Sequence, residues 1–141
     1  MFKKHTAIAL IAATCFFISG CDENKEKAIQ IAQEDIKPFL DDPDAAQFKD
    51  IKVVDLTKGA YMVCGTIESK DKRGNDYRNE FASFVYKLDK KNKDEAGSVP
   101  WPRYSFIDGL VSKEYYINKT ACTEGAEAYD KKMAEFKKQA G

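Results

Sequence analysis

Histidine is almost absent from this chain, and neither sign of charge is in excess. The single histidine is His5, near the start of 141 residues, and Lys+Arg and Asp+Glu both number 23. The chain beyond His5 therefore cannot build Ser-His-Asp or Cys-His catalysis, or a histidine metal site. A balanced charge also gives no electrostatic footprint for a nucleic acid. No nucleic-acid partner is expected.

Catalytic signatures are missing as well. The sequence contains no glycine-rich phosphate loop, no nucleophile elbow and no metalloprotease helix. Hydrophobic residues make up 43% and charged residues 33%, which is the composition of one soluble globular domain. The chain is predicted not to be an enzyme, and no metal or cofactor is predicted.

The N-terminus has the pattern of an export signal. Lys3 and Lys4 precede an apolar stretch over residues 7–18 that only Thr14 interrupts. As a helix this stretch spans about 18 Å, well short of a hydrocarbon core of roughly 30 Å. It therefore predicts a cleaved signal peptide rather than a transmembrane anchor.

The signal ends in Ile18-Ser19-Gly20-Cys21, which resembles the lipobox of bacterial lipoproteins. The resemblance implies a diacylglycerol on the Cys21 thiol and cleavage after Gly20, which gives a stable membrane anchor. An unlipidated secretory signal that merely ends near a cysteine is the alternative. Asp22 resembles the residue that retains lipoproteins in the inner membrane of enteric bacteria. The periplasmic side of the inner membrane is therefore the expected location, with the outer membrane as the alternative.

Four cysteines leave one pair for the folded domain. Cys15 would leave with the signal and Cys21 would carry lipid, so Cys64 and Cys122 are predicted to form a disulfide in an oxidising compartment. The link would close a loop of about sixty residues, which corresponds to roughly 4 kcal/mol of stability. Two buried free thiols are the alternative, since a metal site would lack further ligands.

The apolar patterning predicts an α+β domain, a small antiparallel meander sheet with the N- and C-terminal helices packed on one face. Steps of three and four residues predict a helix over 22–37 that Pro38 ends, and a second helix beyond Thr120. The chain is divided into a signal peptide (1–20), a lipidated tether (21–27) and one domain (28–141).

Alternating and β-branched runs predict the strands of the meander. Hairpin-like connections separate three of them, and the two prolines of the fourth restrict it to an irregular edge strand. The predicted strands are Phe48–Leu56, Ala60–Ser69, Tyr77–Leu88 and Val99–Val111.

The middle third of the chain resembles a group of small exported bacterial and prophage-borne proteins. The likeness rests on the turn within Leu40–Lys49, on Cys64-Gly65-Thr66-Ile67, and on a hairpin with Gly74, Tyr77 and Phe81–Tyr86. These are core and turn residues, so the resemblance implies a fold rather than an activity.

Two carboxylate groupings are candidates for chemistry. Asp41, Asp42 and Asp44 share one turn and offer oxygen ligands for calcium, but the spacing favours a helix cap by Asp42. Glu68 and Glu80 are placed to face each other across a hairpin as an acid/base pair, although a solvated strand face explains them equally well.

Aromatic residues crowd the segment that begins at Trp101. Because Tyr, Trp and Arg dominate the hot spots of protein interfaces, the segment predicts a partner surface. That surface comprises Trp101, Arg103, Tyr104, Tyr115 and Tyr116. Phe106 and Ile107 are instead expected to fill the core.

The function these features favour is that of a membrane-anchored periplasmic lipoprotein that binds another protein without catalysis. An inhibitor, immunity or exclusion factor is the expected type. The alternatives are an accessory or structural lipoprotein of a secretion or conjugation assembly, and a carboxylate-dependent hydrolase built on Glu68 and Glu80.

Overall fold

The computed structural model describes residues 23–91 and 93–141. The predicted signal peptide (1–20), the predicted lipidation site Cys21 and Asp22 lie outside the described residues. The elements are α1 (Glu23–Ile36), β1 (Gln47–Asp55), β2 (Tyr61–Lys70), β3 (Asp76–Tyr86), β4 (Gly97–Pro102), α2 (Lys113–Glu124) and α3 (Ala126–Ala140), with short 3-10 turns at Lys37–Phe39, Pro43–Ala45 and Lys93–Glu95.

Helix α1 confirms the N-terminal helix. Ala28, Ala32 and Ile36, spaced by four residues, are fully buried on its inner side. Pro38 ends the helix, and the chain continues in a 3-10 turn. Residues 23–27, which the division of the chain assigned to the tether, lie within α1, as the helix predicted over 22–37 requires. Two glutamates of the first turn complement the helix dipole.

The four strands form the predicted antiparallel meander in the order β1-β2-β3-β4. Strand β1 has a bulge between Lys49 and Lys52, with Asp50 at a φ of 53°. Strand β4 lies at the edge of the sheet and pairs with β3 alone. An edge strand tolerates Pro100 and Pro102, which have no N–H group to donate to a second neighbouring strand.

The helices cover opposite faces of the sheet. Helix α1 packs on Val63, Phe81 and Val85 of the central strands, whereas α2 and α3 pack on Met62 and Ala82. Successive residues of a strand point to opposite faces, so β2 and β3 are apolar on both sides. The α+β class is confirmed, but the prediction that the terminal helices share one face is wrong.

The C-terminal helical region begins earlier than predicted. Ser112 caps α2 by accepting a hydrogen bond from the backbone N–H of Tyr115 at 3.2 Å. Gly125, with a φ of +100°, separates α2 from α3. The prediction of an irregular strand reaching Val111 and of a helix only beyond Thr120 is therefore wrong at this boundary.

The predicted disulfide is confirmed. Cys64 on β2 is bonded to Cys122 on α2, with 58 residues of sequence separation. Gly65 beside it has no room for a side chain, because an added Cβ would lie 2.5 Å from Cδ1 of Ile51 and 3.0 Å from Cε1 of Phe81. The Cys-Gly pair thus joins the helix to one face and admits close packing on the other.

Removing the disulfide should destabilise the domain strongly. For the double variant Cys64→Ala/Cys122→Ala, the chain-entropy relation predicts a loss of about 4 kcal/mol in the free energy of unfolding. Urea titration followed by circular dichroism measures this loss, and the parent protein unfolded in reductant is the matched control. A loss below about 1 kcal/mol would contradict the structural role of the link.

Candidate binding site

The connection between β4 and α2, residues 103–112, is an ordered loop. We call it the β4–α2 loop. Tyr104 and Val111 form an antiparallel bridge across its base. The backbone N–H of Ser105 donates to the carbonyl of Leu110 at 2.8 Å. The loop is therefore held as a small hairpin rather than as a mobile connection.

Side chains fix the tip of this hairpin. The Ser105 hydroxyl accepts a hydrogen bond from the backbone N–H of Ile107 at 3.2 Å. The Asp108 carboxylate accepts one from the N–H of Leu110 at 3.0 Å. Gly109 takes a φ of +68°, which a residue with a side chain rarely adopts. These contacts set the direction of the aliphatic side chains around the turn.

Asn79 on β3 holds the base of the loop. Its side-chain amide donates to the Tyr104 carbonyl at 2.8 Å and accepts from the Tyr104 N–H at 3.2 Å. One residue earlier in the chain, the backbone N–H of Arg103 donates to the Glu80 carbonyl at 2.7 Å. The asparagine side chain thus replaces one backbone pair and extends the β3–β4 ladder into the loop.

The loop exposes large aliphatic side chains. The exposed fraction is 91% for Ile107, 68% for Leu110 and 55% for Val111. Phe39, 52% exposed, stacks on Phe106 with 6.2 Å between ring centroids. We call these five residues the loop patch. Such a contiguous apolar surface is typical of a protein interaction site.

A cavity of about 410 Å³ lies between the loop patch and the edge strand. Pro100, Trp101 and Pro102 of β4 line it on the side of the sheet. Trp101 is half-buried and also packs on the core beneath α2. The cavity has the size of a small ligand pocket or of a site for one or two side chains of a partner.

Three of the predicted surface residues lie together, with Arg103 in contact with the other two and with Glu80. The Arg103 guanidinium is 3.0 Å from the Glu80 carboxylate and donates to the Tyr116 hydroxyl at 3.2 Å. It also lies over the Tyr104 ring, 5.2 Å from the centroid. Arg103, Tyr104 and Tyr116 therefore form one partly exposed cluster next to the loop patch.

Tyr115 was predicted on the surface, and this prediction is wrong. Its side chain is only 2% exposed, and its hydroxyl donates to Glu80 at 3.1 Å. Burial and the nearby Glu80 carboxylate raise the pKa of the Tyr115 hydroxyl. Lys119 lies over the ring, 5.5 Å from the centroid. Tyr115 belongs to the core and positions Glu80.

Glu68 and Glu80 do not face each other. Glu68 is paired with Arg78 and Glu80 with Thr66 in the β2–β3 register. The Glu68 carboxylate lies 2.6 Å from the Lys49 ammonium, and Glu80 is held by Arg103. The predicted facing arrangement is wrong, because the two glutamates are offset by two residues and each is paired with a cation.

Asp42 acts as a helix cap, as predicted. Its carboxylate accepts a hydrogen bond from the backbone N–H of Ala45 at 3.2 Å, at the start of a 3-10 turn. In the described part of the chain, no three acidic, cysteine or histidine side chains are grouped to hold a metal ion. Asp41 instead accepts a hydrogen bond from the Lys72 N–H at 3.2 Å.

Several residues of the site were not predicted. Ile107 was expected in the core and is the most exposed aliphatic side chain of the loop. The sequence patterns did not assign Phe39, Leu110 or Asn79 to the site. The Asp108-Gly109 pair between aliphatic residues is a turn signal that would have placed those side chains at an exposed tip.

Comparison with known proteins supplies no function. The chain matches no protein-family model, no curated protein sequence and no solved structure. The chemistry of the site therefore follows from this chain's own residues.

Asn79→Ala should loosen the β4–α2 loop. The change leaves the N–H and carbonyl of Tyr104 without partners, so we expect a loss of about 1–3 kcal/mol in the free energy of unfolding. Amide hydrogen exchange at Ser105 and Leu110 should also accelerate. Asn75→Ala, in the exposed turn between β2 and β3, is the matched control. Unchanged exchange in Asn79→Ala would contradict the role of Asn79.

Proposed function

We propose that the protein is a membrane-anchored periplasmic lipoprotein that binds another protein and has no enzymatic activity. The observation that carries the proposal is the loop patch, a set of aliphatic and aromatic side chains on and beside a loop that hydrogen bonds hold in one conformation. A pre-ordered loop loses little conformational freedom on binding, so more of its apolar contact energy contributes to affinity.

The distribution of exposed apolar side chains supports a single binding surface. Among residues 23–91 and 93–141, the large apolar side chains that are exposed lie in four places. These are the β4–α2 loop, strand β4, helix α2 and the 3-10 turn that contains Phe39. The residues are Phe39, Val99, Tyr104, Ile107, Leu110, Val111 and Tyr116. The cluster of Arg103, Tyr104 and Tyr116 beside the loop patch supplies the residue types found at hot spots.

The lipobox supports the location. Cys21 precedes the first residue of α1, Glu23, by two positions. No helix in the described part of the chain has the length and apolarity to cross a bilayer. Lipid on Cys21 would hold the domain at the membrane by its N-terminal end. Asp22 favours the inner membrane, and the outer membrane is the alternative.

The position of the patch relative to the anchor fits a partner in the periplasm. Helix α1 has 14 residues and therefore rises about 21 Å. Phe39 of the loop patch follows its C-terminal end, whereas Cys21 precedes its N-terminal end. A domain tethered at one end of α1 would present the patch beyond the other end.

A small disulfide-linked domain with one binding surface suits an inhibitor, immunity or exclusion factor that occupies an incoming effector. The grouping of the exposed apolar side chains near the β4–α2 loop favours the first type over a structural lipoprotein that would bridge several neighbours. The hydrolase alternative loses support from the cation partners of Glu68 and Glu80.

Lipidation is tested by Cys21→Ser. We expect this variant to leave the membrane fraction while the parent stays in it, because the thiol that carries the lipid is lost. Fractionation with mass measurement of the mature chain reports both location and acylation. Equally firm membrane binding by the variant would contradict the lipoprotein proposal.

Binding is tested by capture after cross-linking in membranes. The double variant Ile107→Asp/Leu110→Asp should retain less than about a tenth of the proteins captured with the parent, because charges replace the exposed aliphatic contacts. Ala134→Asp, at an exposed position on α3, is the matched control and should capture as the parent does. The same capture by all three proteins would contradict the role of the loop patch.

A further inference from the structure

Acidic side chains surround the loop patch. Asp108 and Glu114 line the cavity of about 410 Å³ beneath it. A second cavity of about 250 Å³ adjoins the first, since Phe39, Ser105 and Phe106 line both. Asp41 and Asp71 line this second cavity. We call Asp41, Asp71, Asp108 and Glu114 the acidic rim.

Positive charge does not balance the acidic rim. Among the residues that the structure describes, no lysine or arginine lines the first of these cavities, and Arg78 is the one that lines the second. Arg103 is directed to Glu80. Backbone hydrogen bonds, led by that of Leu110, lower the pKa of the Asp108 carboxyl, and those led by Asn75 lower that of Asp71. These two rim residues are therefore negatively charged at neutral pH.

The charge of the rim disfavours two occupants. An anionic lipid surface would bring like charges against Asp108 and Glu114. A second copy of the chain, docked patch to patch by two-fold symmetry, would bring one acidic rim against the other. Both arrangements desolvate carboxylates without supplying cations.

We propose that the two adjoining cavities bind a short basic and apolar segment of the partner protein. One or two large aliphatic or aromatic side chains of that segment enter the apolar cavity against the loop patch. A lysine or arginine close by in the same segment lies against the acidic rim. The proposal rests on the protein-binding function and specifies the chemistry of its partner.

The two contacts have separable effects. Burial of the apolar side chains excludes water and sets the dissociation rate, whereas the exposed rim acts mainly on the association rate and is screened by salt. Binding of such a segment should therefore weaken as the salt concentration rises.

Selection from a random dodecapeptide phage library tests the inference. The target is the lipidated protein in phosphatidylethanolamine nanodiscs, because these lipids carry no net charge. We expect the enriched peptides to combine a large apolar residue with a nearby lysine or arginine. Synthetic copies of these peptides should bind at least about tenfold more weakly to Ile107→Asp/Leu110→Asp.

A neutralised rim separates charge from apolar contact. The variant carries amide side chains, whose single oxygen can still accept the backbone hydrogen bonds that Asp41, Asp71 and Asp108 accept in the parent. Its substitutions are Asp41→Asn, Asp71→Asn, Asp108→Asn and Glu114→Gln. We expect about tenfold weaker peptide binding at low salt and a smaller difference at high salt. A matched control neutralises exposed acids of the α2–α3 hairpin through Glu124→Gln, Glu127→Gln, Asp130→Asn and Glu135→Gln, and should bind as the parent does.

Several results would overturn the inference. The inference would be refuted if peptides without basic residues bound the loop patch and their affinity did not change with the rim substitutions. The protein-binding function would remain supported by that result. The inference would also be refuted if no peptide were enriched on the parent protein relative to a selection on the Ile107→Asp/Leu110→Asp variant.

Two further measurements test the other occupants. Patch-dependent dimers of the lipidated protein in detergent, detected by sedimentation, would assign the patch to a second copy. Patch-dependent binding of Cys21→Ser protein to phosphatidylglycerol vesicles would assign it to lipid.

Discussion

The central strands β2 and β3 are apolar on both faces, and this constraint organises the whole domain. Tyr61 to Cys64 are buried in succession, so each face of the sheet needs its own cover. Helix α1 covers one face, and its Asp35 carboxylate accepts hydrogen bonds from the N–H and hydroxyl of Ser98 on the edge strand. Helices α2 and α3 cover the other face, where the Cys64–Cys122 bond fixes them. The chain must therefore cross from the edge strand to the second face, and the β4–α2 loop makes that crossing.

The crossing explains why the loop is ordered. Regular pairing of β4 ends at Pro102, yet the N–H of Arg103 still bonds the β3 backbone, and the side chain of Asn79 takes over at Tyr104. On the far side, Ser112 caps α2 and Tyr115 extends beneath it to Glu80. These contacts fix the two ends of the loop, and the hydrogen bonds that Ser105 and Asp108 accept hold its tip. Rigidity at the tip is what allows aliphatic side chains to remain exposed in a defined arrangement.

The sequence predicted the first three strands, the disulfide, the Asp42 cap and the end of α1, because each depends on local pattern or on residue type. It did not predict the two-sided helix cover, since a run such as Tyr61 to Cys64 can be buried in more than one way. It placed Ile107 in the core because aliphatic residues are usually buried, and Tyr115 at the surface because the segment is rich in the residue types of interface hot spots. Both depend on where the chain crosses the sheet edge, a tertiary feature. Asn79 gave no local signal, because its partner Tyr104 is 25 residues away.

Aliphatic side chains exposed at the tip of a loop raise the risk of aggregation, which a loop with polar side chains would avoid. A loop between an edge strand and a helix needs turn residues, and polar side chains at positions 107, 110 and 111 would meet that need while lowering the risk of aggregation. Asp108 and Gly109 already provide the turn, and Ser105 and Asn79 already provide the order. The aliphatic side chains add nothing to these internal contacts. This is the reason for proposing an apolar contact outside the domain, in which the acidic rim would select the apolar surface that is accepted.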